Sequence, residues 1–594
     1  MRGLKFIATA VAILLSAGCA LLGVGAPQAG PSPTEEKRWF AAAANPLAVD
    51  AAAAVLERGG TAVDAGIAAQ AVLTLVEPQS SGLAGGAFLL RYDPHTDSVE
   101  SYDGREVAPA SATPERFLKP DGSPMGYDAV LSGLSTGVPG TVRMLALAHK
   151  EHGRTDWAEL LAPALKLAEE GFAVSPRLHN MISTARGLAE GSPESRAYFF
   201  DADGAPHPVG HVLRNPAYAE TLRQLINGGP EAFYKGPIGD AIIAAVNEAP
   251  RPGGMTQADL DAYRPVKRAP VCGPYRDLTI CSMGPPSSGG VALLQMLGML
   301  ERFDLRGAGA GSIEAAHLML EANRIAFADR AKYLADLDGR DDPSAEELVA
   351  GLLNPDYLRA RAALIDPARA RASVEAGDPT KFPITCDCDP GAWKTKGHDA
   401  SPELPSTSHL IMIDGEGVIV SMTMTVEAEF GNRRMAGGMM LNNELTDFSW
   451  VPLSGGRPVA NAVAPGKRPR SSMTPVIVFD EDGKVWGAAG SAGGAAIIGY
   501  VLKTLIAMID WNMDPEAAVA APNLVYPRGE PVLEAGRFDA QTIDGLKRRG
   551  HRVVESELTS GTQAMRVMPD GAVLGGGDPR REGTWKTGLV HAAH

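Results

Sequence analysis

The chain has 594 residues, more than one hydrophobic core usually serves, so two domains or one large intertwined domain are expected. Hydrophobic residues make up 45% and charged residues 21%, which excludes a mainly disordered chain. A formal net charge of −15 excludes nucleic acid and anionic membrane surfaces as favoured partners.

Arg2 and Lys5 precede an apolar run from Phe6 to Leu15, too short to span a bilayer and typical of an export signal. The run ends in Ser16-Ala17-Gly18-Cys19, which resembles a bacterial lipoprotein cleavage box with Cys19 as the lipidated residue. Ordinary signal-peptide cleavage nearby is the competing reading. Residues 1–18 are read as the signal and 19–36 as the lipidated cysteine with a Gly-, Pro- and Ala-rich tether. The mature chain is expected to be exported, either periplasmic or anchored to a membrane by lipid.

Asn45 can cap a helix, Pro46 suits its first turn, and Leu47 to Arg58 follows until Gly59-Gly60. A second helix, about Val63 to Val76, is Ala-rich with few charges and should be buried. The small-residue loop Glu77 to Gly86 feeds a hairpin of Phe88 to Tyr92 and Val99 to Asp103. From 140 to 370 the pattern is mostly helical, as in Ile313 to Leu334. Cys272 and Cys281 flank a turn at Arg276-Asp277 in a register that sets them opposite each other, and export permits a bridge. Cys386 and Cys388 sit in an apparent loop, a surface pair without metal ligands beside it.

Residues 372–406 carry Pro, Gly, Asp, Ser and Lys without apolar periodicity, a mobile linker longer than compact domains usually tolerate. It separates a mostly helical segment, 37–371, from a β-rich one, 407–594. His409 to Ile413, the turn from Asp414 and Val418 to Thr425 read as a hairpin. A three-residue loop pairs 414 with 418 and therefore Thr407 with Thr425. Val476 to Phe479 and Lys484 to Ala489 form another hairpin. Gly493-Gly494 then opens an apolar helix, about Ala495 to Ile509, and Asp514-Pro515 starts one more. Helices first and strands later imply layered α+β packing.

Threonine favours strands, and for a lone threonine that explanation suffices. The surroundings of Thr407 say more. Thr407-Ser408-His409, Asp414-Gly415, Ser421 through Glu427 and Phe430-Gly431 resemble the segment around the nucleophile of gamma-glutamyltranspeptidases. Further similar blocks are Glu77-Pro78-Gln79, Gly137 to Gly140, Pro285 to Gly290, Leu441 to Glu444, Lys467-Arg468-Pro469 with Ser471-Ser472-Met473, and Asp578-Pro579-Arg580. Ile411 departs from the family's usual small hydroxyl residue, and Ala84 and Ala87 interrupt a run that the family makes richer in Gly.

The resemblance implies a four-layer αββα N-terminal-nucleophile hydrolase sandwich, formed jointly by two fragments of one self-cleaving precursor. Cleavage falls between Ser406 and Thr407. Thr407 becomes the nucleophile, with its freed α-amine as base, and Thr425 orients it. Gly493 and Gly494 supply the oxyanion hole. Arg105 pairs with the α-carboxylate of a γ-glutamyl group, with Ser471 and Ser472 adding hydrogen bonds. Glu427, Glu444 and Asp447 surround its α-ammonium. No cofactor or metal is implied, and the partners are small γ-glutamyl compounds and the chain's own second fragment. Only ten residues lie between Ser449 and Ala460, short for a loop that forms a longer lid in other bacterial members. Relatives that remove glutaryl groups, the cephalosporin acylases, define the alternative substrate. Gly133-Leu134-Ser135-Thr136-Gly137 matches a serine-hydrolase elbow, but Pro139 and Gly140 obstruct the helix an elbow needs.

Overall fold

The computed structural model describes residues 37–338, 345–382 and 395–591, so Cys19, the tether and Cys386 and Cys388 lie outside it. Side-chain alternation along the strands generates the architecture. In Ser408–Ile413, Leu410 and Met412 face one way, Ile411 and Ile413 the other, and both sets are buried. A strand covered on both faces needs no polar positions, which explains its unbroken apolar run. Leu410 and Met412 share a core with helices Pro46–Glu57 and Ala62–Val76, the latter buried along its whole length. Ile411 and Ile413 pack instead on Ile477 and Phe479 of a second sheet. In that sheet Val476 and Val478 turn outward to helices Gly289–Leu300, Ile313–Tyr333 and Ile497–Ile509. The layers are helices, sheet, sheet, helices: the expected αββα sandwich.

The first sheet has seven strands, ordered Thr584–Leu589, Arg38–Ala43, Ser408–Ile413, Ile419–Thr425, Gly86–Asp93, Ser98–Asp103 and Val266–Arg268. The second has six: Val573–Gly577, Gln563–Val567, Val485–Gly490, Val476–Phe479, Leu278–Ser282 and Val271–Tyr275. Both sheets therefore combine strands from before and after residue 406. The 37–371 and 407–594 segments are divisions of sequence, not of space.

Local chemistry sets the element ends. The Asn45 side chain accepts from Leu47 N–H, and Thr61 and Asp64 close a capping box. Arg276 takes φ 54 in a two-residue turn, which pairs Cys272 with Cys281, and the two are disulfide-bonded. Gly493 and Gly494 have φ 129 and 58, open to glycine but not to side chains, so helix Ile497–Ile509 starts later than the sequence suggested, after a 3-10 turn Gly494–Ala496. The end of the linker also differs from expectation. Residues 395–406 form no helix or strand, yet Asp399 and Ser406 are buried and Gly397 bridges to Val459. Polar side chains, described below, anchor what apolar periodicity could not. Ser135 of the elbow-like motif is buried, its hydroxyl donating to the carbonyls of Val130 and Ser132, so it is a turn residue.

Candidate active site

The hairpin register Met424↔Ser408 continues to set Thr407 opposite Thr425. The Thr407 hydroxyl donates to Thr425 Oγ1 at 3.3 Å, and Thr425 Oγ1 also accepts from Glu427 N–H at 2.8 Å. Thr407 has φ 140, a region that a β-branched residue avoids and that costs about 1–3 kcal/mol. Contacts on both sides hold it there. Ser406 Oγ donates to the Gln79 carbonyl at 2.5 Å, and Ser408 Oγ donates to Glu77 at 3.3 Å. Arg581 donates to the Thr407 carbonyl at 2.8 Å. The peptide bond between Ser406 and Thr407 is thus fixed beside the hydroxyl that would attack it. Glu427, Phe430 and Arg433 also have positive φ, so the turn after this strand is strained as well.

Gly494 lines the pocket around Thr407, where a Cβ on it would lie 2.5 Å from the Leu404 carbonyl oxygen. Gly493 lies behind it, against the Tyr500 ring. Arg105, Glu427, Glu444, Asp447, Ser471 and Ser472 all line the same pocket, so the structure gathers every residue assigned to the amino-acid head. With Glu403 and Leu404 also in its wall, the cavity left is about 20 Å³, room for little more than one water molecule.

The charges in this pocket do not balance locally. Arg105 is fully buried and donates to Glu444, to Asp447 at 2.6 Å, and to the carbonyls of Pro469 and Arg470. Glu106, Glu444 and Asp447 are buried around that single guanidinium, and buried Glu427 adds a further acid beside Glu444 and Asp447. Burial, then the neighbouring acids Asp447 and Glu444, raises Glu427 well above the ordinary carboxyl range. Burial likewise lifts Asp447 to about 8 although Arg105 pulls it down. The cluster is short of positive charge, as a pocket for an ammonium group should be.

Next to it lies the opposite arrangement. Glu403 accepts from Arg330, from Arg470 at 3.1 Å and from Ser472 Oγ at 2.6 Å. Burial raises its pKa, but the two arginines overcome that and hold it at about 2. Arg470 also pairs with Asp399 at 3.0 Å. Leu404 N–H donates to Glu427 at 2.9 Å. Ser471 is positioned from behind: its carbonyl accepts from Ser288 and its amide donates to Pro286. Sequence reasoning missed Glu403, Arg330, Arg470 and Arg581. Arg470 falls between the two halves of one similar block and Arg581 adjoins another, but the contacts themselves span 67 to 174 residues. Among the described residues, the trio Glu100, Glu151 and His152 has metal-like spacing, but Lys267 bonds both carboxylates and none of the three lines the Thr407 pocket.

The αββα sandwich of two face-to-face sheets is the fold of the N-terminal-nucleophile hydrolases, and a strained threonine heads a central strand of its first sheet. The sequence profile of gamma-glutamyltranspeptidases matches residues 48–587, and the chain belongs to that family. It is 35% identical over 593 residues to the glutathione hydrolase proenzyme of Escherichia coli strain K12, covering 96% of this chain and 97% of the relative. It is also 33% identical over 569 residues to the acylase ACY 1 proenzyme of Pseudomonas sp. strain SE83, covering 93% and 94%. The crystal structure of a cephalosporin acylase from Bacillus halodurans superposes with a TM-score of 0.77 at 26% identity, covering 96% of this chain and 99% of that one.

Proposed function

We propose that this protein is a self-cleaving γ-glutamyl hydrolase and transferase, with glutathione and related γ-glutamyl amides as donors. In the precursor, the Thr407 hydroxyl attacks the Ser406 carbonyl. The amide N–C bond breaks as the ester C–O bond forms, and water then hydrolyses the ester to leave a Ser406 carboxylate and a free Thr407 α-amine. That amine, with an unperturbed pKa near 8, takes the proton of its own hydroxyl when a donor binds. The γ-carbonyl is attacked, and N–H groups at Gly493 and Gly494 are the donors for its oxyanion. The leaving amine departs with a proton, and water or an acceptor amine takes the γ-glutamyl group from Thr407. Arg105, Ser471, Ser472 and the acids Glu427, Glu444 and Asp447 form the pocket for the amino-acid head.

The observation that carries this reading is the cation-deficient acid cluster beside Thr407. A glutaryl group has no ammonium to satisfy it. The acylase reading keeps the same nucleophile; in its favour are the acylase relatives and an adjoining 450 Å³ cavity with Phe327 and Tyr526 in its wall, roomy enough for a bulky leaving group.

The test is to express the full chain and a Thr407→Ala variant, look for fragments of roughly 40 and 20 kDa, and compare γ-glutamyl with glutaryl anilides. The smaller fragment should begin Thr-Ser-His, and Thr407→Ala should remain one inactive chain. An active uncut chain, or a preference for glutaryl, would overturn the assignment. We also propose export and a lipid anchor at Cys19. Cys19→Ala should move the protein from the membrane to the soluble fraction, and unchanged fractionation without lipid mass would mean simple secretion.

A further inference from the structure

The turn Asp578-Pro579-Arg580-Arg581 carries two arginines in opposite conditions. Arg580 is paired twice, with Glu534 at 2.6 Å and with Asp578 at 3.1 Å. Arg581 has no carboxylate partner among the described residues. Its Nε and Nη2 donate to the Thr559 carbonyl at 3.2 and 3.0 Å, and its Nη1 donates to the Thr407 carbonyl at 2.8 Å. The place for it is built. Asp578 accepts from Ser560 Oγ and from Thr562 N–H, which fixes the turn. Gly561, at φ 70, leaves room where a Cβ would lie 2.5 Å from Arg581 Cδ.

The charges around Thr407 decide what this cation does. In the pocket, Glu403 is held between Arg330 and Arg470, Arg105 bonds Glu444 and Asp447, and burial with Asp447 and Glu444 raises Glu427. On the Ser408 side Glu77 has Arg177 at 3.3 Å, and burial raises Glu582. Burial lowers His409, two residues along the strand, to about 3, and raises Tyr500, so both are neutral near pH 7. Burial also lowers Arg581, to about 10, which leaves it charged there. The unmatched positive charge beside Thr407 is therefore that of Arg581. The contact also outlasts the cut. The Thr407 carbonyl lies downstream of the Ser406–Thr407 bond, and Arg581 belongs to the same fragment as Thr407. The freed α-nitrogen is three bonds from that carbonyl oxygen, within about 6 Å of the guanidinium, where a like charge disfavours protonation. Resting on the self-cleavage reading above, we propose that Arg581 tunes the catalytic base: its charge destabilises the ammonium form of the Thr407 α-amine, so that more of the amine is neutral at pH 7 and ready to take the hydroxyl proton. The same repulsion helps the ammonium formed on attack to pass that proton to the leaving amine. Arg581 touches no substrate atom and acts as a positioning residue, through charge and through the carbonyl it holds.

Two titrations of processed, full-length enzyme test this. The first is carbamylation by cyanate, which consumes only the neutral amine and needs no substrate, followed against pH by mass spectrometry of the peptide that begins at Thr407. The wild-type amine should titrate about one unit below its ordinary value near 8, and in Arg581→Gln it should return to about 8. Arg581→Lys, which keeps the charge, should stay near the wild type. The second is the pH dependence of kcat/KM for L-γ-glutamyl-4-nitroanilide, whose acidic limb reports the base of the free enzyme. Arg581→Gln should move that limb up by about one pH unit, an about ten-fold loss on the acid side with the alkaline plateau kept, and Arg581→Lys should move it back. Losses of equal size at every pH in both variants, with the limb in place, would make Arg581 structural only and overturn the proposal. So would a wild-type amine that titrates at or above about 8, a result that needs no variant to process. A chain that stays uncut would overturn the self-cleavage reading itself. A cut enzyme that accepts only glutaryl amides would overturn the proposed substrate, while the cyanate titration would still decide the role of Arg581.

Discussion

Thr407 is held at φ 140 by Ser406 on Gln79, Ser408 on Glu77 and Arg581 on its own carbonyl. Cutting the bond before it, as proposed, would free that torsion, so the strain would favour that reaction. The acids nearby carry a second consequence. Burial raises Glu427 and Glu444 and lifts Asp447 to about 8. A carboxyl whose pKa rises on folding adds stability that is full below its unfolded value, about 4 for Asp, and is lost as pH rises through its folded value. The uncut Thr407→Ala chain should therefore melt at progressively lower temperature from about pH 5 to about pH 9, and Asp447→Asn should flatten that slope. A melting temperature that rises over the same range, read by calorimetry, would contradict this account of the cluster.

Segment 395–406 has no regular structure, and its place is set by Glu403 between two arginines. Glu403→Ala leaves buried Arg330 without its carboxylate and Arg470 with Asp399 alone, a loss of about 3–5 kcal/mol for a buried pair. On the Thr407→Ala background, denaturant unfolding should register a loss of that order. An unfolding free energy unchanged by the substitution would mean that Glu403 does not anchor the segment. The hairpin beside it was legible in the sequence, because a three-residue loop and an apolar run leave one register that pairs Thr407 with Thr425. Cys272 and Cys281 were legible for the same reason, across a two-residue turn. Helix starts at Pro46 and Pro515 followed from Asn45 and Asp514. Glu403 could not be read this way. A charged residue among prolines looks solvated until Arg330, 73 positions earlier, and Arg470, 67 later, are brought to it by helix Ile313–Tyr333 and by the chain entering Val476–Phe479. The engagement of Arg105 by Glu444 and Asp447 was hidden likewise, since the motif supplied all three residues but not their pairing.

Across the whole molecule, each sheet is built from both sides of the proposed cleavage point. Arg38–Ala43 lies between Thr584–Leu589 and Ser408–Ile413, and Leu278–Ser282 pairs with Val476–Phe479. Separating the fragments would break these ladders and expose the inter-sheet core of Phe40, Ile411, Ile477 and Met565, where each large apolar side chain contributes about 1.5–3 kcal/mol. The fragments should therefore co-elute in size-exclusion chromatography at high salt and unfold in one transition. Elution as two species without denaturant would contradict this interleaving. The same edge strands bring the ends of the described chain together: Val590 N–H donates to the Lys37 carbonyl, and His591 N–H to the Glu57 carbonyl. The gene can therefore be rewired as a circular permutant, with a short linker joining 591 to 37 and translation opened at 407 behind a removable leader. Such a chain would be born with Thr407 as its first residue and Ser406 as its last, so that catalysis would be uncoupled from maturation.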